Sequence, residues 1–226
     1  MKQVVDNVIK NALLQTMDEL HRVCEENNLK YFLIGGSLIG AVRHKGCIPW
    51  DDDIDVVMRP SDFKRLLELR NKFGSGFSLH HRSFDESISL PIARVENSYV
   101  IVDEGYYSGV KTGVFVDVFC FNETFNTKVF QIMHFKIVAI FRLLMLLKYR
   151  SYSKRKYSEF ALKIINIISI FFNIFPKKIL SGLMDSSEAL GRLGGKKVCY
   201  ANLHGVWKTK EIAPIWHGVN RWLLQP

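Results

Sequence analysis

Four aspartates occupy five positions in the stretch GCIPWDDDIDVVM, at residues 46–58, directly before the apolar residues of a predicted strand. Because alternate side chains of a strand share one face, Asp51, Asp53 and Asp55 are predicted to project together while the intervening side chains enter the core. Neighbouring carboxylates repel one another, and a divalent cation that prefers hard oxygen ligands removes this conflict. The spacing therefore predicts a site for Mg²⁺ or Mn²⁺ at the edge of the core.

The acidic cluster has two alternative roles that stay open. Asp51, Asp53 and Asp55 match the first, third and fifth positions of a calcium-binding loop, and Asp62 falls at the twelfth. The sixth position of such a loop turns sharply and needs glycine, whereas this chain has Val56 there, so the pattern disfavours that class of site. A solvated acidic turn without a ligand is the second alternative.

Two further features favour catalysis. Gly35, Gly36 and Ser37 follow the predicted strand YFLI and open a predicted helix, where backbone N–H groups can approach a phosphate. Asp117 lies among β-forming residues in the stretch VFVDVF, where an acid is costly unless it is paired or binds a metal ion. The alternative role for this aspartate is an ion pair with a buried arginine such as Arg94.

The order of these features resembles the nucleotidyltransferase superfamily, whose fold is polymerase-β-like. The continuous string YFLIGGSLIGAVRHKGCIPWDDDIDVVM, at residues 31–58, resembles more narrowly the signature of the LicD family. Members of that family transfer phosphocholine or a related phospho-alcohol group from a CDP-activated donor to a surface glycan, and fukutin-type transferases are relatives. The resemblance therefore predicts an α/β (α+β) fold class, a nucleotidyltransferase-like mixed sheet with helices. It also predicts that the protein is an enzyme.

The resemblance implies a role for each carboxylate. Asp53 and Asp55 would be the metal-binding pair, Asp51 would assist them, and Asp117 would be the third carboxylate of the site. The expected chemistry is a phosphoryl displacement in which two metal ions clamp the attacking and leaving oxygens.

The same resemblance assigns substrate-binding residues. Gly35, Gly36 and Ser37 would meet the donor phosphates, and Arg43 and His44 would lie near the pyrophosphate or the acceptor. Arg43 is alternatively a structural partner of Asp52. Trp50 is expected to pack as a lid on the core behind the acids.

The chain divides by charge into two predicted parts. Residues 1–127 hold 14 Lys and Arg against 18 Asp and Glu, and residues 128–226 hold 17 against 4, within a formal net charge of +9. The first part is predicted to be the catalytic core, and the second a helical, basic and apolar region with an atypical or truncated tail, because the chain ends at HGVNRWLLQP where the family continues. Such a basic part predicts a polyanionic partner.

An anionic membrane surface is the predicted partner of the second part. Two apolar segments flank the basic run KYRSYSKRK, so residues 129–178 are predicted to rest on the inner face of the membrane, and the protein to be cytoplasmic and peripheral. Lysine and arginine interrupt both segments, which disfavours transmembrane passage. The basic residues adjoin apolar segments and not exposed aromatic residues, which argues against nucleic acid. In the alternative, these helices complete the domain core.

Two other functions stay open at this stage. A decayed, non-catalytic family member could act as a scaffold on the membrane surface, and an enzyme of the same fold could transfer a whole nucleotide from an NTP. The predicted glycan acceptor is of the lipopolysaccharide, teichoic acid or capsule type, and an acceptor built on a lipid carrier would suit the predicted membrane location.

Overall fold

A computed structural model describes residues 2–51, 53–85, 91–102, 111–149, 158–172, 174–194, 198–200 and 207–208. Asp52, most of the basic run and the predicted atypical tail lie outside these residues. The proposed pairing of Arg43 with Asp52 therefore stays a prediction.

The described residues up to the end of β5 form three helices and five strands, joined by short helical turns. They are α1 (Lys2–Glu26), β1 (Tyr31–Leu33), α2 (Gly35–Ile39), a π-helical turn (Gly40–His44), β2 (Asp55–Met58), α3 (Pro60–Glu68), a 3₁₀ turn (Arg70–Lys72), β3 (Phe77–His80), β4 (Ala93–Val102) and β5 (Thr112–Cys120).

The five strands form one mixed sheet in the order β1-β2-β5-β4-β3. Strands β2 and β5 are parallel neighbours, whereas β1 pairs with β2, β4 with β5, and β3 with β4 in antiparallel fashion. This mixed sheet with helices confirms the predicted α/β nucleotidyltransferase-like fold class.

One face of the sheet is apolar and packs against α1 and α3. Val56, Val116 and Val95 are fully buried on this face, because alternate residues of β2, β5 and β4 point the same way. Leu20 of α1 and Leu66 of α3 close the same core. The opposite side carries a second, smaller buried cluster that includes Phe32, Val57 and Phe119, and the polar residues of that side lie beside it.

After β5, the described residues form a short strand, three helices and two more strands. They are β6 (Asn122–Thr124), α4 (Lys128–Tyr149), α5 (Glu159–Phe172), α6 (Lys177–Ala189), a 3₁₀ turn (Leu190–Gly194), β7 (Val198–Tyr200) and β8 (Trp207–Lys208). Strand β7 pairs with β6 on one side and β8 on the other. This small sheet joins residues on both sides of position 127, and the proposed domain boundary stays a prediction.

Helix α4 is attached to α6 and β6 by both apolar and polar contacts. Met145 packs with Leu180 and Met184 of α6. The buried His134 ring donates from Nε2 to the carbonyl oxygen of Ser187 at 2.9 Å, and its Nδ1 accepts from the Thr124 hydroxyl at 3.0 Å. Within the described part of the chain, one helix, Lys128–Lys148, is long and apolar enough to cross a membrane by length and composition alone.

Candidate active site

Asp55 and Asp117 lie side by side on adjacent strands. Asp55 opens β2 and is the direct partner of Asp117 in the parallel register with β5, and the Asp117 N–H donates to the carbonyl oxygen of Ile54 at 3.0 Å. Both side chains are on the face opposite the valine core, since Val56 and Val118 follow them on the other face. The structure thus brings together two carboxylates whose sequence positions are far apart.

Asp51 reaches the same place from the loop before β2. Its backbone N–H donates to the Ile48 carbonyl at 3.0 Å, which closes a turn, and its carboxylate lies over Gly36 at the start of α2. A Cβ atom at Gly36 would fall closer than 3.0 Å to Oδ2 of Asp51. Glycine at this position is therefore needed for the carboxylate to approach the backbone.

Gly35 serves a different purpose. Its φ of +58° is a left-handed conformation that other residues rarely adopt. A Cβ built there would lie 3.8 Å from Oδ2 of Asp55. The turn at Gly35 therefore places the first residues of α2 beside both Asp51 and Asp55.

Ser37 holds the edge of β2. Its Oγ accepts a hydrogen bond from the backbone N–H of Asp55 at 2.8 Å, and the Ile34 N–H donates to the carbonyl oxygen of Asp55 at 3.1 Å. The Gly-Gly-Ser turn and the aspartate strand are thus one connected unit. The phosphate-binding role of Gly35, Gly36 and Ser37 stays a prediction.

The pKa of Asp55 reflects both its burial and the carboxylates close to it. Burial, followed by the charges of Asp53, Asp117 and Asp51, raises the pKa of Asp55 to about 7. The exposed Asp53 is close enough to contribute, so the charges of the three other predicted acids all act on Asp55. Such a set is favourable only with a proton or a cation to balance it.

The donor set fits a hard divalent cation. All four predicted ligands are carboxylates, which Mg²⁺ and Mn²⁺ prefer, and the mutual repulsion at Asp55 is the feature that a cation would relieve. Among the described residues, no three His, Cys, Asp or Glu side chains converge at ligand distances. The metal-binding role of Asp51, Asp53, Asp55 and Asp117 therefore stays a prediction.

Asp117 also forms the ion pair that was its alternative role. Arg94 of β4 is its direct antiparallel partner, and Arg94 Nε donates to Asp117 Oδ1 at 3.0 Å. The guanidinium carbon of Arg94 lies 3.4 Å from the centroid of the Phe115 ring, a cation–π contact that orients the arginine. The carboxylate of Asp117 is thus paired with Arg94 and also lies beside Asp55.

Asp55, Asp117 and Arg94 form a row of polar side chains across three strands, and this polar row continues to the edge of the sheet. The sequence pattern predicted no function there. His80 of β3 is the direct partner of Arg94. Its Nδ1 lies 2.6 Å from Asp85 Oδ2, and its Nε2 lies 2.8 Å from Ser78 Oγ. The only signal in the sequence is that Ser78 and His80 alternate on one face of a strand, which does not reveal the neighbouring strand.

Arg43 and His44 lie on the exposed π-helical turn that follows α2. The structure does not draw them into the carboxylate cluster itself. The ring of His44 instead meets Trp50 edge to face, with centroids 6.1 Å apart. Their predicted contact with pyrophosphate or acceptor stays a prediction.

The expectation that Trp50 packs as a lid on the core is wrong. Its side chain is 81% exposed. Ile54 lies in the core instead, and Cys47 packs against it. The turn that ends at Asp51 leaves the indole on the outside. The acids are covered on the core side by strand residues and not by this tryptophan.

Comparison with known proteins agrees with the geometry. A mixed sheet that pairs Asp55 with Asp117 beside a Gly-Gly-Ser turn defines a nucleotidyltransferase-like domain. The profile described as "LicD/FKTN/FKRP, nucleotidyltransferase domain" matches residues 28–143, about half of the chain, so the chain belongs to this family.

Three curated relatives share shorter segments. Lipopolysaccharide cholinephosphotransferase LicD of Haemophilus influenzae is 50% identical over 69 residues, which are 30% of this chain and 26% of that protein. Ribitol 5-phosphate transferase FKRP of Mus musculus is 34% identical over 97 residues, 41% of this chain and 19% of that protein. The human FKRP is 41% identical over 59 residues, 26% of this chain and 12% of that protein. The chain thus spans about a quarter or less of these relatives.

Proposed function

We propose that this protein transfers a phospho-alcohol group, phosphocholine or a similar one, from a CDP-activated donor to a cell-surface glycan, with Mg²⁺ or Mn²⁺ at the aspartate cluster. The observation that carries the proposal is the in-register pair of Asp55 and Asp117 beside the Gly-Gly-Ser turn. Family membership supports it. The names of the LicD and FKRP relatives both denote transfer of a phosphorylated alcohol.

The proposed reaction is a displacement at phosphorus. The acceptor hydroxyl oxygen attacks the donor phosphorus and forms a new P–O bond, while the bond to the bridging oxygen breaks and that oxygen leaves with CMP. We assign the acceptance of the hydroxyl proton to Asp117, because Arg94 fixes its carboxylate through Oδ1. A bound divalent cation would offset the negative charge of the carboxylates and the phosphates.

The residues around the cluster would orient the donor. Ser37 and the glycines before it lie beside Asp55 at the start of α2, and we assign the contact with the donor phosphate to their backbone N–H groups. Gly36 leaves room for Asp51 at the same place. Holding the donor phosphate and the acceptor hydroxyl in fixed positions supplies much of the rate enhancement in phosphoryl transfer.

A donor screen tests the proposal. The purified chain is mixed with CDP-choline, CDP-glycerol or CDP-ribitol, a lipopolysaccharide or teichoic acid acceptor and Mg²⁺, and CMP release is measured. We expect one donor to release CMP only when acceptor and Mg²⁺ are both present. Pyrophosphate release from CTP would instead indicate the nucleotidyltransferase alternative, and metal binding without release of either product would indicate a non-catalytic scaffold.

We further propose that α4, α5 and α6 rest on the inner face of an anionic membrane. These helices expose many large apolar side chains: Val129, Phe130, Ile132, Met133, Ile137, Ile140, Leu143, Phe160, Ile164, Ile167, Ile168, Ile170, Ile179 and Leu183. An exposed apolar surface of this kind fits a bilayer or a partner protein.

Charge favours the bilayer. Lys148 at the end of α4 lies near Lys177 at the start of α6, since burial and then the charge of Lys177 lower the pKa of Lys148. The acid Glu188 is already paired with Arg142 at 3.1 Å. Of the other acids described on these helices, Asp185 pairs with Arg82 and Glu159 is exposed at the start of α5. Basic residues therefore outnumber acids around the apolar surface, which complements anionic headgroups.

The attachment of α4 supports surface contact over passage through the membrane. His134 and Arg142 both face the protein, where they bond to Ser187 and Glu188 of α6. The opposite side of α4 carries the exposed apolar residues. A helix with one polar, packed side and one apolar, exposed side fits the boundary of the bilayer.

A further inference from the structure

Four polar side chains meet at the edge of the five-stranded sheet, on β3, on β4 and just after β3. Ser78 and Glu96 are direct partners in the antiparallel register, and His80 lies on the same face as Ser78, two residues further along β3. The Nδ1 atom of His80 lies 2.6 Å from Oδ2 of Asp85, and its Nε2 atom lies 2.8 Å from Oγ of Ser78. Glu96 brings Oε2 to 3.7 Å from the same Nε2 atom, and its Oε1 accepts from the Gly113 N–H at 2.6 Å. We call Ser78, His80, Asp85 and Glu96 the edge cluster.

The edge cluster lies on the same face of the sheet as Asp117. His80 is the direct partner of Arg94, and Arg94 is the direct partner of Asp117, so two strand spacings separate His80 from Asp117. Neighbouring strands are about 4.8 Å apart, which puts these two backbone positions about 10 Å from each other. Because both side chains project from one face, one monosaccharide unit is long enough to reach from the edge cluster to Asp117.

The edge cluster is fixed by its own contacts and remains within reach of a ligand. The side chains of His80, Asp85 and Glu96 are 29%, 25% and 20% exposed. Each carboxylate oxygen can accept more than one hydrogen bond, so both acids can bind ligand hydroxyl groups in addition to their partners in the protein. Partly exposed polar groups in fixed positions are the kind of group that orients a small polar ligand.

The charge of the edge cluster limits which sugar it can bind. Asp85 and Glu96 supply two carboxylates, whereas His80 supplies one positive charge and only when it is protonated. The neighbouring Arg94 is paired with Asp117 at 3.0 Å. A phosphate or carboxylate on the ligand would therefore meet like charges, while hydroxyl groups or an amine would donate hydrogen bonds to the two acids.

We propose that the edge cluster is the subsite for the acceptor glycan, and that it selects a sugar unit without an acidic group. This inference rests on the proposed function, because it takes the acceptor to be a glycan. Ser78 and His80 orient the sugar, and Asp85 and Glu96 accept hydrogen bonds from its hydroxyl groups. The donor then lies at the Asp55 end of the polar row and the acceptor at the other end.

Nuclear magnetic resonance of the full chain with labelled histidine tests the subsite without turnover. The His80 ring signals are assigned by their loss in His80→Gln. Two matched pairs of probes are titrated: methyl β-glucoside with methyl β-glucuronide, and methyl β-galactoside with methyl β-galacturonide. We expect a neutral glycoside to shift the His80 signals to saturation, and its acidic counterpart to bind at least about 10-fold more weakly because of like-charge repulsion.

Glu96→Gln tests the selection itself, because the amide oxygen still accepts from Gly113 while the negative charge is lost. We expect the ratio of the Kd values within a pair to fall by at least about 5-fold, and Asp85→Asn to change it in the same direction. A purely structural role of these acids would leave the ratio unchanged. Glu68→Gln is the matched control, because Glu68 is an exposed acid on α3, which packs on the opposite face of the sheet, and it should keep the wild-type ratio.

The results separate the subsite from the proposed transfer. Equal affinity for both members of each pair, or no shift of the His80 signals by any glycoside, would overturn the subsite, and CMP release in the donor screen would still support the transfer. If the neutral glycosides bind as expected and no donor releases CMP, the subsite stands and the proposed transfer fails.

Discussion

Nε of Arg94 on β4 lies 3.0 Å from Oδ1 of Asp117 on β5. The other neighbour of β5 is β2, which places Asp55 directly beside Asp117. The two partners are only 15% and 18% exposed, so the ion pair is largely removed from water. One carboxylate therefore has a structural partner on one side and a candidate catalytic partner on the other. Mutations can separate the two roles.

We expect Asp117→Asn to lower turnover by at least about 100-fold, and more steeply at low Mg²⁺, if the carboxylate acts in catalysis. The same change removes the ion pair with Arg94 and should reduce the free energy of unfolding by about 1–3 kcal/mol. Arg94→Met is the control, because it removes the pair but keeps Asp117. Equal losses of activity per folded molecule in the two variants would show that Asp117 acts only through Arg94.

Asp53→Asn and Asp55→Asn should each reduce transfer below detection while the protein stays folded. In metal-free protein, Asp55→Asn should also raise the free energy of unfolding at pH 8 by roughly 1–3 kcal/mol, a value discounted for partial solvent screening. The folded-state pKa of Asp55 is about 7, above its ordinary value of 3.8, so the folded protein binds this proton more tightly. The cost of ionisation is thus complete above pH 7 and fades as the pH falls towards 4.

Thermal unfolding in EDTA at pH 8 and pH 5 measures this difference. Asp18→Asn, an exposed change on α1, should show no comparable dependence on pH. A stability gain from Asp55→Asn that is equal at both pH values would contradict the crowding of carboxylates around Asp55.

Gly36→Ala should lower activity strongly, by about 10-fold to 100-fold, because the new methyl group would displace the Asp51 carboxylate. Stability should change little, since the atom that must move is the end of a side chain. Gly182→Ala on α6 is the matched control, because a Cβ there meets nothing within 4 Å, and it should leave turnover unchanged. Normal turnover in Gly36→Ala would mean that the position of Asp51 over the turn is not needed.

His81 should make the fold sensitive to acid. Burial, and then the charge of Arg82, lower its pKa to about 4 from 6.5. The unfolded chain therefore binds more protons between pH 6.5 and about 4, and the free energy of unfolding falls as the pH drops through this window. In urea titrations, the free energy of unfolding of His81→Gln should fall by about 1–3 kcal/mol less than that of wild type between pH 7 and pH 4.5.

His44→Gln, which alters an exposed histidine, is the control for this measurement. The comparison between variant and wild type cancels the opposite contribution of Asp55. Parallel pH profiles for His81→Gln and wild type would show that His81 is not held neutral in the folded protein.

Flotation with vesicles tests the proposed membrane surface. We expect the protein to float with anionic vesicles at low salt, and the bound fraction to fall as salt rises. The double variant Lys177→Glu/Lys178→Glu should weaken vesicle binding by about 30-fold to 100-fold, because it replaces two basic residues near the membrane surface. Lys64→Glu on α3 should leave vesicle binding unchanged. Equal recovery in the unbound fraction with neutral and anionic vesicles would rule out the surface.

The local part of the site was predictable, because its signals lie in one continuous stretch. The Gly-Gly-Ser turn lies where the sequence predicted it, and the predicted strand containing Asp117 is β5. The prediction that Asp51, Asp53 and Asp55 alternate on one strand is wrong, because β2 begins only at Asp55 and the other two aspartates lie in the loop before it. The pairing of β4 with β5 shifts between Asn97 and Ile101, an irregularity that no local pattern in the sequence indicates.

The remainder depended on register, which is invisible along one strand. Nothing local indicates that Arg94 and His80 continue the row from Asp117, because that alignment is fixed by two strand pairings, β5 with β4 and β4 with β3. Trp50 was misplaced for a related reason. A tryptophan between proline and an acid has an apolar ring that suits a core, and only the closed turn shows that the ring points outward.

The parallel pairing of β2 with β5 has a consequence for folding kinetics. Asp55 and Asp117 stand 62 positions apart in the chain, and their strands can meet only after a long loop has closed. Loop closure costs entropy before the pairing returns any free energy, so contacts of this kind form late. α1 and the turn at Gly35 can form from local contacts, but the carboxylate pair cannot. The candidate site is therefore a property of the completed sheet, and a chain arrested before β5 is inserted would hold Asp51, Asp53 and Asp55 without Asp117 beside them.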